Sequence, residues 1–582
     1  MRRVADDLLD VLVAAGVRRI YGLVGDSLNA FSDAVRRSGG AARGGIDWIH
    51  VHNEEAGAFA ASAEAQLTGR LAVCAGSCGP GNTHLIQGVM DAHRSGAPVL
   101  ALASHIPSRQ IGTGYFQETK PEALFAQASH YCETVAHPNQ VVRLTRSAIQ
   151  HAVGRQGAGV LVLPGDILTE HSGTSVPASV TVSARPRPAP TEQDVLELAE
   201  RVNTAGKIAI FAGIGCADAR AEVLELARLL NAPIGHSLRG KEIIQYDNPF
   251  DVGMIGLLGY GACYDALHDA DLVLFLGTDF PYDDFLPTRD NVQIDIDPGR
   301  LGRRVPISQG IAADLHLTLR ALLPKVAPRS DRAYLDHMLR QHERALEHSV
   351  RTYSTHISKH SPIHPEHLAA VVDRLAAPDA IFTADTGMCC TWTARYIMPN
   401  GSRRLLGSWV HGSMANALPM AIGAQVSHPD RQVVSLSGDG GLAMLLGELL
   451  TAKTHHLPVK VVVFNNSSLG MVRLEMMAAG DPPFETDHDQ VDYAAIAAAA
   501  GFHTRRVTEP GDLESAAADV FSHDGPALLD VVTTADALEV PSHIRAEDAR
   551  GFALTVGKMV LTGGVGELLD IARLNVRNIP RP

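Results

Sequence analysis

Short β-rich apolar runs alternate with helical stretches along almost the whole chain, and this alternation narrows the fold more than any other feature. Runs at 71–75, 98–103 and 159–163 occupy the first third. Others at 208–212, 272–276 and 292–296 follow in the middle, then 380–384, 433–436, 459–464 and 527–532. They are apolar throughout, not at every second residue. Strands of that kind are buried on both faces, which predicts parallel sheets covered by helices. Two stretches interrupt the rhythm. Residues 171–191 are rich in Pro, Ser, Thr and Ala and read as a linker. Residues 328–365 are charged and His-rich, and their middle, 334–350, reads as a surface helix in a second connection. Cutting there leaves three doubly wound parallel-sheet α/β domains, expected at 1–175, 190–328 and 362–540, and a tail at 541–582. The first and third blocks share one order: strand, glycine-rich turn, helix.

The 50 Lys and Arg against 64 Asp and Glu give a net charge of −14, which disfavours nucleic acid as a partner. Seven cysteines without paired spacing read as reduced thiols, not a disulfide framework. The first 17 residues carry acids where a signal peptide needs an apolar core. They read instead as an amphipathic helix with Val4, Leu8, Val11 and Ala15 on one face. No uncharged run approaches the roughly 18 residues of a membrane span. A cytoplasmic protein, or one peripheral on the inner face of the cell membrane, is expected. There is no Walker loop, zinc-type cysteine pair or serine elbow. His364 and His367 read as structural or surface residues.

Gly438-Asp439-Gly440 ends the strand-like 431–437 and precedes a helical stretch at 442–454. The next strand ends in Asn465-Asn466, which places Asn466 27 positions after Asp439. In a parallel sheet the two side chains lie together at the carboxyl edge, where open α/β sheets bind ligands. One carboxylate and one amide oxygen suit a Mg²⁺ that leaves its other positions to phosphate and water. Gly440 and Gly441 let backbone approach a diphosphate. By itself Gly-Asp-Gly is a common strand-to-helix turn. The asparagines at this distance weight the reading toward a Mg–diphosphate site.

The same pattern resembles the thiamine diphosphate enzymes. The resemblance implies Asp439, the Asn466 side chain and the Ser468 carbonyl as metal ligands. It also implies an acid, just after a strand and opening a helix, that keeps the cofactor's aminopyrimidine protonated. Glu54 stands at that position, although by spacing alone it is equally a helix N-terminal acid. Relatives commonly carry His directly before it, where this chain has Asn53.

The stretches 72–88, 114–119, 239–242, 246–254, 403–419 and 438–475 resemble the bacterial pyruvate oxidase family, and most of all its quinone-linked, membrane-associated branch. The likeness covers essentially the whole chain. It implies oxidative decarboxylation of pyruvate to acetate and CO₂ with thiamine diphosphate, Mg²⁺ and FAD, the electrons passing to ubiquinone or menaquinone. It implies cofactor contacts from Gly412, Ser413 and Met414, and substrate contacts from Phe116, Gln117 and Glu475, with Gln117 and Glu475 catalytic. Read without it, Met414 is a core side chain and Gln117 and Glu475 are surface residues.

The middle block has Gly213 and Gly215 but lacks the third glycine of a dinucleotide fingerprint. The flavin therefore rests on resemblance, which implies contacts from Ile255, Gly256, Leu257 and Leu258, from Thr278, Asp279, Phe280, Pro281 and Tyr282, and from Asp295. In relatives a Val commonly stands where this chain has Thr386, and often a Phe where it has Met471.

At the end of the chain Val565, Leu568, Leu569, Ala572, Val576 and Ile579 recur at helical spacing. That pattern suits either a membrane interface or a docked terminal helix. The resemblance implies a lipid-binding tail and a homodimer or homotetramer whose first and third domains from different subunits meet. Two other activities remain open. One is a phosphate- and oxygen-dependent pyruvate oxidase. The other is an acetolactate synthase-like carboligase in which FAD is structural.

Overall fold

The computed structural model describes residues 2–173, 178–183, 185–352, 354 and 361–537, with Arg550, Leu554, Thr555 and Lys558 beyond them. The helical pattern read at 565–579 lies outside the described residues. The strands form three sheets. The first contains β1 (Arg19–Gly22), β2 (Asp47–His50), β3 (Ala72–Gly76), β4 (Val99–His105), β5 (Tyr131–Thr134) and β6 (Ala158–Pro164) in the order 2-1-3-4-6-5. The second contains β7 (Ile208–Ala212), β8 (Ile234–His236), β9 (Asp251–Met254), β10 (Tyr260–Gly261), β11 (Leu272–Leu276), β12 (Asp290–Asp295) and β13 (Gln309–Ala312) in the order 10-9-8-7-11-12-13. The third contains β14 (Ile381–Ala384), β15 (Arg404–Gly407), β16 (Val433–Gly438), β17 (Lys460–Asn465), β18 (His503–Val507) and β19 (Ala527–Val532) in the order 15-14-16-17-19-18. Renumbered from its first strand, the third order is the first. The shared strand–turn–helix plan read from the sequence is thus one topology used twice.

Pairing within the sheets is parallel with one exception. Tyr260 and Gly261 run antiparallel to Met254 and Gly253, so the second sheet ends in a short reversed strand. The central strands are buried on both faces; every residue of β4, β6 and β11 is buried. Each fully buried Val or Leu there contributes about 1.5–3 kcal/mol.

The N-terminal helix, Val4–Ala14, buries Val4, Leu8 and Val11 as expected, while Ala15 falls at its half-buried C-cap. The helix read at 334–350 is Ala333–Ala345 continued by a π-turn, Leu346–Val350. It buries Leu335 and Met338 against the second sheet. The stretch read at 442–454 as one helix is two, Asp439–Met444 and Glu448–Thr454, broken at Leu445–Gly447. The first begins at Asp439 itself, so the acid sits on a helix N-terminus.

The first and third blocks are locked by close helix contacts within one chain. Glu54–Thr68 is built mostly of Ala and Gly, and both neighbouring helices approach it through glycines. A Cβ on Gly88 would lie 2.6 Å from Ala58 Cβ, and one on Gly423 would lie 2.1 Å from the Ala60 carbonyl oxygen. The small helix thus packs as closely as its composition predicts. Beyond residue 537, Thr555 is buried and donates to the Met477 carbonyl at 2.9 Å, and Lys558 donates to the Gly480 carbonyl at 2.6 Å. Both contacts fall at the end of the helix Gly470–Ala479. No helix among the described residues is long and apolar enough to cross a membrane.

Candidate active site

The carboxyl edge of the third sheet gathers the acid and amide read from the sequence. β16 and β17 are neighbours, with Gly438 opposite Phe464, so Asp439 and Asn466 follow adjacent strand ends. Asp439 Oδ2 accepts from the Ser467 N–H at 2.6 Å and Oδ1 from the Gly440 N–H at 2.9 Å. Asn466 Oδ1 accepts from the Ser468 N–H at 3.1 Å. Ser467 turns the chain at φ +54°, in the left-handed region. Asp439 is buried, and burial raises its pKa above the ordinary carboxyl value. Next to it, a Cβ on Gly441 would fall 1.7 Å from Asp385 Oδ2, so only glycine fits. Asp385 follows β14, and burial pushes its carboxyl up to about 7 although the backbone amides of 415–417 oppose the shift.

A cavity of about 790 Å³ runs from this edge to the second sheet. Its third-sheet wall includes Gly438–Gly441, Asn466, Ser468, Gly412, Met414, Thr386, Met471 and Glu475. Its second-sheet wall is 255–258 together with 278–282. Glu475 is exposed toward solvent, yet partial desolvation still raises its pKa; that of Tyr282 is raised by burial first and by the Glu475 charge second. Asp279 is held by Arg303 and Arg304. Asp295, ending β12, lies in an adjoining cavity of about 550 Å³ that shares Ile214, Arg239, Gly277 and Arg300 with the first. Its Oδ1 accepts from the Asp297 N–H at 2.9 Å.

Besides Asp295, which lines only the adjoining cavity, four expected site residues are not brought to the 790 Å³ cavity by their own chain: Glu54, Phe116, Gln117 and Ser413. Glu54 opens its helix behind Asn53, whose side chain caps it by accepting from the Glu55 N–H at 2.9 Å. Asn53 is therefore a working N-cap. Glu54 is 4% exposed, with Oε2 at 3.0 Å from His84 Nδ1 and Oε1 where a Cβ on Gly81 would come within 2.9 Å. Phe116 is 78% exposed. It stands on a loop folded round Glu118, whose carboxylate accepts N–H groups from Gly112, Gly114 and Tyr115. Gln117 adopts φ +62°, and its Oε1 faces Cys78 Sγ at 3.4 Å. Ser413 is buried, accepting from Gln87 at 2.9 Å and donating to the Met414 carbonyl at 3.0 Å.

Comparison with known proteins assigns this architecture. Three family models match in sequence: the N-terminal TPP binding domain of thiamine pyrophosphate enzymes over residues 2–124, their central domain over 195–322 and their C-terminal TPP binding domain over 385–531. A putative thiamine pyrophosphate-containing protein, YdaP, of Bacillus subtilis is 33% identical over 94% of each chain. The chain belongs to the thiamine pyrophosphate enzyme family. Among its other relatives are a pyruvate oxidase of Lactiplantibacillus plantarum, 31% identical over 94% of this chain and 91% of that one, and an acetolactate synthase isozyme 1 large subunit of Escherichia coli, 28% identical over 90% and 93%.

The residues present fit thiamine pyrophosphate and a hard metal ion beside it. Ser468 Oγ is buried with no hydrogen-bond partner among the described residues. Gly387 at φ +117° and Gly412 at φ +78° have nothing within 4 Å of a Cβ position, so the backbone there faces open space. A carboxylate, an amide oxygen and a carbonyl are the hard donors that Mg²⁺ takes. On the second-sheet side, a Cβ on Gly213 would lie 2.4 Å from the Gly277 carbonyl oxygen, and Arg239, Arg300 and Arg303 line the cavity with positive charge. Among the described residues no cluster of three or more His, Cys, Asp or Glu offers another metal site. All seven cysteines are unpaired.

Two residues of the site escaped the sequence reading. His84 lies inside the motif-bearing stretch 72–88, and only its spacing after Gly81 hints at Glu54. Glu448 is 1% exposed on the third block. Its carboxylate accepts from the His52 N–H at 3.1 Å and from Thr451 Oγ1 at 2.7 Å, anchoring the turn that presents Glu54. Burial pushes Glu448 up to about 7, and the charge of Glu54 adds to the shift. The folded state therefore binds this proton more tightly than the unfolded chain, and the stability it contributes is lost as pH rises from about 4.5 to about 7. Glu448→Gln keeps an acceptor for His52 but does not titrate. The variant should gain stability relative to the parent between about pH 5 and about pH 8, by up to about 3 kcal/mol. Unfolding curves at both pH values check this; a pH-independent difference rules it out.

Proposed function

We propose that this chain oxidatively decarboxylates pyruvate, converting pyruvate, water and a quinone into acetate, CO₂ and the quinol. The observation that carries this reading is the continuity of one cavity from the Asp439–Asn466 edge to the 255–258 and 278–282 segments. An oxidative route needs its thiamine and flavin ends side by side. When bound, thiamine diphosphate supplies the electron sink that lets a 2-oxo acid lose CO₂, and FAD supplies a two-electron acceptor.

The chain's own residues do the rest. Asp439, Asn466 and the Ser468 carbonyl would hold Mg²⁺, and Gly440 and Gly441 would leave room for the diphosphate. Met414 and Gly412 border the thiamine end. Asp295 and the two second-sheet segments would hold FAD. Glu54 keeps a proton at the aminopyrimidine ring nitrogen. Phe116 and Gln117 border the substrate, and Glu475 holds or moves a proton at its oxygen.

Because Glu54, Phe116 and Gln117 lie off the cavity of their own chain, a second copy supplies them, which makes a homodimer the minimal active unit. The large exposed area at Phe116 and Tyr115 supports such an interface. The domains proposed are 1–175, 190–328 and 362–540. The contacts of Thr555 and Lys558 with the end of the Glu475 helix support a tail, 541–582, that docks near the cavity and exchanges that contact for a lipid surface.

Two relatives keep competing readings in view, an oxygen-linked oxidase and a carboligase. Anaerobic pyruvate should bleach the bound flavin stoichiometrically, and a soluble quinone should restore its colour faster than oxygen does. Lipid should increase the rate. Acetolactate formed without bleaching would establish the carboligase instead, and oxygen-dependent acetyl phosphate would establish the oxidase.

A further inference from the structure

We propose that Arg395 is a positioning residue that fastens the flavin-side segment 255–259 to the helix bordering the thiamine end of the cavity. The inference rests on the reading that FAD occupies this cavity. Arg395 lies near the end of the helix Met388–Tyr396 and is 2% exposed. Its Nη2 donates to the Gly259 carbonyl at 2.9 Å, and its Nε points at the Leu258 carbonyl at 3.4 Å. One guanidinium thus reaches two successive carbonyls of a segment 136 residues away in the chain. A lysine offers a point charge and cannot span both.

Both ends of this bridge touch the cavity. The helix carrying Arg395 begins after Gly387, and its residues Met388, Cys389 and Trp392 line the cavity's third-sheet wall. The segment it grips supplies Ile255 to Leu258 to the opposite wall. That segment is tightly made. Gly256 adopts φ +100° over the Phe280 ring, where a Cβ would lie 2.6 Å from Cζ, and the Gly259 N–H closes the turn on the Gly256 carbonyl at 2.8 Å. The turn leaves the 258 and 259 carbonyls facing the third block, where Arg395 meets them.

Burying a guanidinium is unfavourable unless its hydrogen bonds are satisfied, and burial lowers the pKa of Arg395. An apolar side chain of the same length would fill the space at less desolvation cost. What it could not do is fix the distance between the two walls. Arg395 therefore sets where the flavin segment stands relative to the helix Met388–Tyr396.

The test uses the full-length protein stripped of FAD and reconstituted, with Arg395→Met and Arg395→Lys. Charge-assisted hydrogen bonds of this kind are worth enough that Arg395→Met should weaken FAD binding by about tenfold or more, with Arg395→Lys between it and the parent. The visible spectrum of bound flavin should shift, and amide hydrogen exchange at 255–259 should rise in the FAD-free protein. Thiamine diphosphate affinity should stay near that of the parent. Unchanged FAD affinity, flavin spectrum and exchange in either folded variant overturns the proposal. So does an equal weakening of both cofactors, which marks a general packing role. A parent protein that takes up no FAD overturns the reading of the cavity itself, a result visible before any variant is made.

Discussion

Glu54→Gln lowers turnover with pyruvate by about 10²–10⁴-fold, the span that removal of a positioned proton-transfer group covers. Glutamine has the same shape. It fills the space that Gly81 leaves beside Oε1 and still offers a hydrogen-bond partner to His84. What it loses is the ability to give and take a proton. The change sits on the first residue of a helix whose cap is Asn53, so the helix keeps its start. Fold and flavin content should therefore match the parent, because Glu54 does not line the cavity of its own chain. Steady-state assays with an artificial electron acceptor, alongside circular dichroism and the flavin spectrum, check all three expectations. Turnover close to the parent's would remove Glu54 from the mechanism. Turnover lost together with flavin would mean that the substitution acts through folding.

The strands legible in the sequence are those that lie inside the sheets. β4, β6, β7, β11, β16, β17 and β19 are continuous apolar runs because helices cover both faces and each strand has two neighbours. Strands at the sheet edges escaped, apart from β2, whose end the position of Glu54 required. β5, β13, β15 and β18 are sheet edges. β5 and β18 are half-exposed and carry Glu133, Arg505 and Arg506. Such residues suit an unpaired edge and erase the apolar signal. β1, β8 and β9 lie inside the sheets and escaped for another reason, being only three or four residues long with a glycine in each.

The candidate site divides in the same way. Asp439 and Asn466 were legible because each follows a recognisable strand, so topology alone brings them together. The same holds for the end of β14, where Asp385 and Thr386 sit. Glu448 and Arg395 were not, because their partners lie 396 and 136 residues away and no local pattern records them. The break at Leu445–Gly447 was missed because both flanking stretches keep helical spacing. It matters physically, since it lets Glu448 turn toward His52 while Asp439 stays at the cavity.

Asp439→Asn should weaken Mg²⁺-dependent binding of thiamine diphosphate by about 100-fold or more, since even residues that only support a metal ligand cost 10–100-fold when removed. The amide keeps one oxygen, so it can still accept from the Ser467 N–H that holds the turn between β17 and its following helix, while the Gly440 N–H loses its side-chain acceptor. It removes the single carboxylate from the expected donor set. Without ligand the substitution should change stability little, because the lost acceptor is offset by the removal of a buried charge. Burial already works against the charged form of Asp439, as its raised pKa records, and asparagine carries no charge to desolvate. The two effects separate in one thermal experiment. The parent should gain about 2.7 kcal/mol of stability at a ligand concentration near 100 times Kd, and the variant should gain almost none. Two of the three tryptophans, Trp392 and Trp409, line the cavity and report binding directly by their fluorescence. An Asp439→Asn protein that binds Mg²⁺ and thiamine diphosphate as the parent does would move the metal away from this strand edge. One already less stable without ligand would make Asp439 a structural acid whose main work is to hold the Ser467 turn.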